Sequence, residues 1–143
     1  MSENKEIVLQ VGVKILLKNK EGKYLLVRRN PKKYPEVGPK WDIVGGRIDA
    51  GSPLIENLKR EIKEEVNLDY IGEPKLVAAQ DILRVPGRHV VRLTYIGEME
   101  GEPMLDDDHL EVKWFEGEEL KKMSEVELDI YFKELVEKNI IKI

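Results

Sequence analysis

Ile, Val and Leu dominate the stretch from Ile7 to Leu17, and after the polar LKNKEGK the chain turns apolar again in YLLVRR. Two strands joined by a turn at Glu21-Gly22 are expected. The segment NPKKYPEVGPK carries prolines and a glycine and reads as an irregular connection into WDIVGG, where Trp41 to Val44 make a short strand. Ser52 and Pro53 then stand as N-cap and first helical residue. Ile55, Leu58, Ile62 and Val66 recur at three- and four-residue spacing behind them, which predicts a helix from Pro53 to Val66. Two longer apolar runs, KLVAAQDILRV and HVVRLTYIGEM, flank Pro86-Gly87 and predict paired strands with a turn between them, and EVKWFE adds another short strand. From Glu125 to Asn139, the residues Val126, Leu128, Ile130, Tyr131, Leu135 and Val136 follow a mostly helical pattern and predict a closing helix. Strands and helices alternate without repeat, low-complexity tract or linker, so one mixed-sheet α/β domain over residues 1–143 follows.

Composition narrows the class. With 143 residues, 41% apolar and 36% charged, the chain is globular and long enough to bury one core, and its 6% aromatic content makes that core mostly aliphatic. Lys plus Arg total 24 against 28 Asp plus Glu, and the net charge of -4 argues against nucleic acid as a partner while leaving room for a local basic pocket. There is no cysteine, which excludes a disulfide framework, a thiolate metal site and thiol catalysis. The segment MSENKEIVLQ is charged where a signal peptide needs an apolar core, and no apolar run approaches the roughly 20 residues of a membrane span, so a cytoplasmic location is expected, with no membrane partner.

The predicted helix carries an unusual charge pattern. At about 100° per residue, Glu61, Glu64 and Glu65 fall in one sector, beside the apolar stripe. Like charges at this spacing cost a few tenths of a kcal/mol per pair, which a solvated face tolerates. Three carboxylates on adjacent turns also suit a hard divalent cation such as Mg²⁺ or Mn²⁺, which takes oxygen ligands and keeps water positions open. Energy alone leaves both readings standing. The context separates them, because Gly45-Gly46 and Gly51 precede the helix and permit a tight loop and close approach of backbone to a ligand.

Taken together, Gly46 to Leu68 resembles the Nudix box without gaps: a glycine, five residues, Glu, seven residues, Arg-Glu, an aliphatic, any residue, Glu-Glu, any residue, glycine and an aliphatic. Arg60-Glu61-Ile62-Lys63-Glu64-Glu65 is an intact core of it. Ser52 stands in place of the first Glu and Asn67 in place of the last glycine. Glu56, one turn before Arg60, offers a substitute ion pair for the first departure. Asn tolerates a left-handed backbone, which suits it to the second. The element order along the chain is similar to that of the Nudix fold, an α/β/α sandwich of the α+β type around a central mixed β-sheet.

The resemblance implies metal-dependent hydrolysis of a diphosphate linkage in a nucleoside diphosphate derivative, a small-molecule nucleotide. On it, Glu61, Glu64 and Glu65 supply a shell for Mg²⁺ (or Mn²⁺) with the Gly45 carbonyl as a further ligand, Glu61 or Glu64 accepts the proton from water, and Arg60 orients the carboxylates. A later loop, MLDDDHLEVKWFE, offers Asp106, Asp107, Asp108 and Glu111 as base or extra ligand, against the plainer reading of a solvated acidic loop. Arg28 and Arg29 end a strand where one can meet a substrate phosphate, and strand alternation lets only one of them face the site. Tyr34 is a stacking candidate in a specificity loop. Trp41 and Trp114 read as core, and His89 and His109 as structural or surface residues. An (oxo)deoxynucleoside triphosphate, cut to the monophosphate and pyrophosphate, is the favoured substrate by family analogy, with ADP-ribose and diadenosine polyphosphates as alternatives. A nucleotide-sensing module without turnover is the reading from a different class, an interaction domain with an acidic surface helix is a third, and a homodimer stays open.

Overall fold

The computed structural model describes residues 6–35 and 38–143. Residues 1–5, in the charged N-terminal segment, and residues 36–37, in the proline-bearing connection, lie outside the described residues. Six strands, β1 (Val8–Lys18), β2 (Tyr24–Arg29), β3 (Trp41–Arg47), β4 (Lys75–Ile82), β5 (Arg88–Glu98) and β6 (His109–Phe115), form one mixed sheet. Their spatial order is β4-β5-β1-β3-β2-β6. Three helices accompany them: α1 (Leu54–Val66), α2 (Gly117–Lys122) and α3 (Ile130–Glu137).

The β1–β2 hairpin forms at its turn, where Leu17 pairs with Leu25 and Lys18 with Tyr24, and then splays so that β3 inserts between the two strands. β1 is central, running antiparallel to β3 and parallel to β5 from Val8↔Arg88 to Lys18↔Glu98. Alternation along β1 builds two cores. Val13, Ile15 and Leu17 pack with Leu58, Ile62 and Val66 of α1, while Leu16 packs with Leu120, Phe132 and Leu135 of the other helical layer. The three α1 side chains are fully buried, each contributing about 1.5–3 kcal/mol of transfer free energy and fixing which face of α1 remains for chemistry.

Several element limits differ from the sequence reading. Pro53 adopts an extended conformation with ψ 149° and occupies the N-cap, so α1 begins at Leu54, without a side-chain cap among the described residues. Asn67 ends the helix in the left-handed region at φ 56°, as its residue type allows. The strand entering α1 runs on through both glycines to Arg47, because Gly45 and Gly46 pair with Lys14 and Val13 of β1. The closing helix starts only at Ile130, since the Asp129 side chain caps it by accepting from the Tyr131 and Phe132 backbone N–H groups, and Val126 upstream is exposed. The short α2 carries no apolar period, since Leu120 is its one buried residue; a reciprocal capping box between Glu116 and Glu119 nucleates it.

Candidate active site

The junction of β3 and α1 brings backbone and carboxylates together. Gly45 has φ 140°, and a Cβ there would lie 2.0 Å from the Val13 carbonyl oxygen, so only glycine lets β3 approach β1 this closely. At Gly46 a Cβ would meet the Glu61 carboxylate at 2.7 Å, which places that carboxylate directly against the β3 backbone. Glu65 is buried and accepts a hydrogen bond from the Gly45 N–H at 3.2 Å. Burial pushes the Glu65 carboxyl well above the usual range, opposed by the Lys14 ammonium and assisted by the charge of Glu61. Burial also raises Glu61, which shares a hydrogen bond with Glu65.

Glu64 is in water, and Arg60 grips both its oxygens through Nη1 at 2.9 and 3.0 Å. The other end of the guanidinium reaches Asn57 Oδ1 at 2.7 Å, Asp49 at 3.3 Å and Glu61 at 3.4 Å. Arg60 therefore pairs with Asp49 and Asn57, and among the described residues no hydrogen bond or ion pair joins it to Glu56. Arg60 thus bridges two of the three acids. Among the described residues no three His, Asp or Glu side chains stand close enough together to hold a metal ion. The donor set nonetheless fits a hard divalent cation: adjacent carboxylates with raised proton affinity, and a third on the neighbouring turn held by a flexible side chain. The Gly45 carbonyl points into the same region and accepts from Lys14 Nζ at 3.1 Å.

These groups open onto a cavity of about 830 Å³, a size that suits a nucleotide. Tyr34, Asp106 and His109 line another side. His109 is buried, its Nδ1 lies 2.8 Å from Asp106 Oδ1, and its ring stands 5.9 Å from that of Tyr34. The Tyr34 phenol is pushed up to about 12 by burial and by the carboxylates of Glu65, Asp108 and Asp106, and so stays a neutral hydrogen-bond donor. Of the paired arginines, Arg29 lines the cavity. Arg28 instead pairs with Glu111 at 2.8 Å, both exposed at their tips, and neither belongs to the cavity lining. Strand alternation turns the two arginines to different surroundings, and a register shift between them pairs Arg29 with His109. Asp107 and Asp108 line the cavity, with Asp108 3.5 Å from Lys33. Trp41 packs edge-on against Phe115 at 4.7 Å, Trp114 packs on the α1-side core, and His89 pairs with Asp81 at 2.7 Å on the surface.

Beneath the cavity lies a charged group outside the motif. Asp42, 1% exposed, receives Lys14 at 3.2 Å, Arg92 at 3.0 Å and a short contact from Arg29. Asp129 receives Arg29 at 3.1 Å and Arg92 at 3.2 Å. Burial pushes the Asp42 carboxyl up, but Arg92, Lys14 and Arg29 reverse this and hold it far below the usual carboxylate range. The available signal is a lone charge inside an apolar strand, as in VGVKILL, WDIVGG and HVVRLTY.

The family model described as the NUDIX domain matches residues 8–135. Among solved structures, the chain is similar to a MutT protein from Methanosarcina mazei Go1, with TM-score 0.79 and 24% identity over 96% of this chain and 95% of that one. A MutT NUDIX hydrolase from Burkholderia pseudomallei matches with TM-score 0.63 and 27% identity over 76% and 83% of the two chains. A NUDIX hydrolase from Nitrosomonas europaea matches with TM-score 0.73 and 20% identity over 92% and 88%. No curated protein sequence matches.

Proposed function

The chain belongs to the Nudix family of hydrolases acting on pyrophosphate bonds, and from this premise we propose that it is a divalent-metal-dependent pyrophosphohydrolase of a nucleoside diphosphate derivative. Its favoured substrate is an (oxo)deoxynucleoside triphosphate, cut to the monophosphate and pyrophosphate. The observation that carries the reading is the placement of Glu61 and Glu65 against the Gly45-Gly46 backbone, with Glu64 on Arg60, all bordering one cavity.

When bound, Mg²⁺ or Mn²⁺ neutralises the diphosphate and lowers the pKa of the attacking water. Glu61, Glu64 and Glu65 would hold it, with the Gly45 carbonyl as a further ligand. Arg60 sets the orientation of Glu61 and Glu64 by charge-assisted hydrogen bonds. Glu61 or Glu64 accepts the proton released from water; Glu111, paired to Arg28 away from the cavity, is a poorer acceptor than either. Arg29, which lines the cavity from the charged group beneath it, would meet the substrate's phosphates, and Tyr34 borders the space for the base.

The test is to incubate the protein with Mg²⁺ or Mn²⁺ and a panel of nucleoside triphosphates, 8-oxo-dGTP, ADP-ribose, diadenosine polyphosphates and nucleotide sugars, and to identify products by chromatography. Monophosphate and pyrophosphate from a triphosphate, abolished by EDTA, are expected. Cleavage of ADP-ribose alone would overturn the substrate, and binding without cleavage would overturn the enzyme in favour of a sensor.

A further inference from the structure

Lys14 is the one charged residue of VGVKILL, set between Val13 and Ile15, which are fully buried, and its own side chain is only 15% exposed. In the β1–β3 register it lies opposite Gly45. Its ammonium carries three N–H donors and no acceptor, and three oxygens of β3 surround it: the Gly45 carbonyl at 3.1 Å, the Ile43 carbonyl at 3.2 Å and Asp42 Oδ2 at 3.2 Å. Asp42 does not by itself account for this position, because Arg92 already donates to both its oxygens and Arg29 makes a further contact. What separates Lys14 from the two arginines is its other side. Burial raises the Glu65 carboxyl, and Lys14 is the leading charge that opposes the rise; it opposes the rise at Glu61 as well. Arg92, by contrast, touches Asp42 and Asp129 but neither Gly45 nor a glutamate among the described residues. A compact ammonium ringed by carbonyl and carboxylate oxygens takes the same kind of donor as a hard divalent cation, with charge of the same sign. An oxygen shared between the two would bring like charges together in a partly buried site, where repulsion is strong.

We propose that Lys14 is an internal counter-ion of the acidic site, competing with the divalent cation for the Gly45 carbonyl and for the charge of Glu61 and Glu65. It weakens metal binding and holds these groups together when metal is withdrawn. The proposal rests on the cavity being a metal-dependent hydrolytic site, and it assigns to that site a residue from β1, outside the glycine and glutamate motif. A site that carries its own cation stays assembled without metal and exchanges metal readily.

The experiment titrates Mn²⁺, by electron paramagnetic resonance and calorimetry, into the protein and its Lys14→Met, Lys14→Gln, Lys14→Arg and Arg92→Leu variants. A mildly alkaline pH is used, where protons compete least with the metal, and melting temperatures are read in EDTA and in Mn²⁺. Lys14→Met keeps the length of the stem without the charge; Lys14→Gln, which retains N–H donors, carries the same prediction should the first variant fail to fold. Both are expected to bind Mn²⁺ at least about tenfold tighter than the parent, to melt below it in EDTA, and to gain more in melting temperature when Mn²⁺ is added. Lys14→Arg keeps the charge, and Arg92→Leu removes a cation that does not touch Gly45, so both should bind Mn²⁺ as the parent does. Parental or weaker binding in the folded Lys14→Met and Lys14→Gln proteins would overturn the competition, as would an equal gain in Lys14→Arg or Arg92→Leu. No Mn²⁺ binding by the parent or any variant would instead overturn the metal-dependent reading of the site, and the competition with it.

Discussion

Glu64 and Glu65 are neighbours in the chain yet sit in opposite surroundings, one held in water by Arg60 and the other buried beneath the Gly45 N–H. Burial raises the proton affinity of Glu61 and Glu65, and a cation must displace those protons. Mn²⁺ affinity, followed by electron paramagnetic resonance, is therefore expected to fall as pH is lowered through the range above the ordinary carboxylate value; a flat profile there would contradict this. The sign for stability is the reverse. In EDTA the folded state keeps protons that the unfolded chain releases, so stability contributed by these two groups is present below the ordinary carboxylate pKa and lost as pH rises through their raised values. Arg60→Ala leaves Glu64 without its anchor and is expected to weaken metal binding by about 10–100-fold, the range for residues that orient ligands, with calorimetric titration as the check. The three glutamates are legible in the sequence because helical spacing places them in one sector, and Arg60 through the resemblance to the Nudix box. Their different depths are not, since a sector angle says nothing of what the strand ahead of the helix will cover.

The β3–α1 unit depends on backbone shapes that few residues adopt. Gly45→Ala puts a methyl group 2.0 Å from the Val13 carbonyl oxygen at a φ of 140°, and is expected to leave little soluble, cooperatively melting protein. At Asn67, Gly should be close to neutral while Val costs about 1–2 kcal/mol, because only the latter clashes in the left-handed region; urea denaturation measures both. The left-handed helix end was readable from the residue type. The helix start was not: Ser52 and Pro53 make a good N-terminal pair, but Pro53 in extended conformation shifts the boundary to Leu54. At the other end of the chain, Val126 counts towards a helical pattern although it is exposed, and Asp129, a capping residue type, marks where α3 begins.

Across the whole molecule, β1, β2, β3, β5 and the start of α3 converge on the buried charges around Asp42. Counting charges predicts the order of two substitutions. Asp42→Asn removes the carboxylate that Lys14, Arg29 and Arg92 share and leaves Arg29 and Arg92 on Asp129 alone, and it is expected to cost about 3–5 kcal/mol, the range for an orphaned buried charge. Arg92→Leu leaves two cations and two carboxylates and is expected to cost less; the reverse order in denaturant unfolding would contradict the charge count. Because the folded-state pKa of Asp42 is depressed, its contribution is present above the ordinary carboxylate pKa and is lost as the pH falls below it. The strands were legible one by one from their apolar runs. Their spatial order was not, because β3 separating β1 from β2, and β5 running parallel to β1, are long-range pairings that local patterns do not encode. The charged floor stayed hidden for the same reason, its directly paired members lying up to 100 residues apart. The account stands most directly on turnover of Glu64→Gln and Glu65→Gln with Mg²⁺ and the substrate identified from the panel, each variant first shown to melt like the parent. A loss of about 100-fold or more in both is predicted, and near-parental rates in both would contradict the assignment of the site.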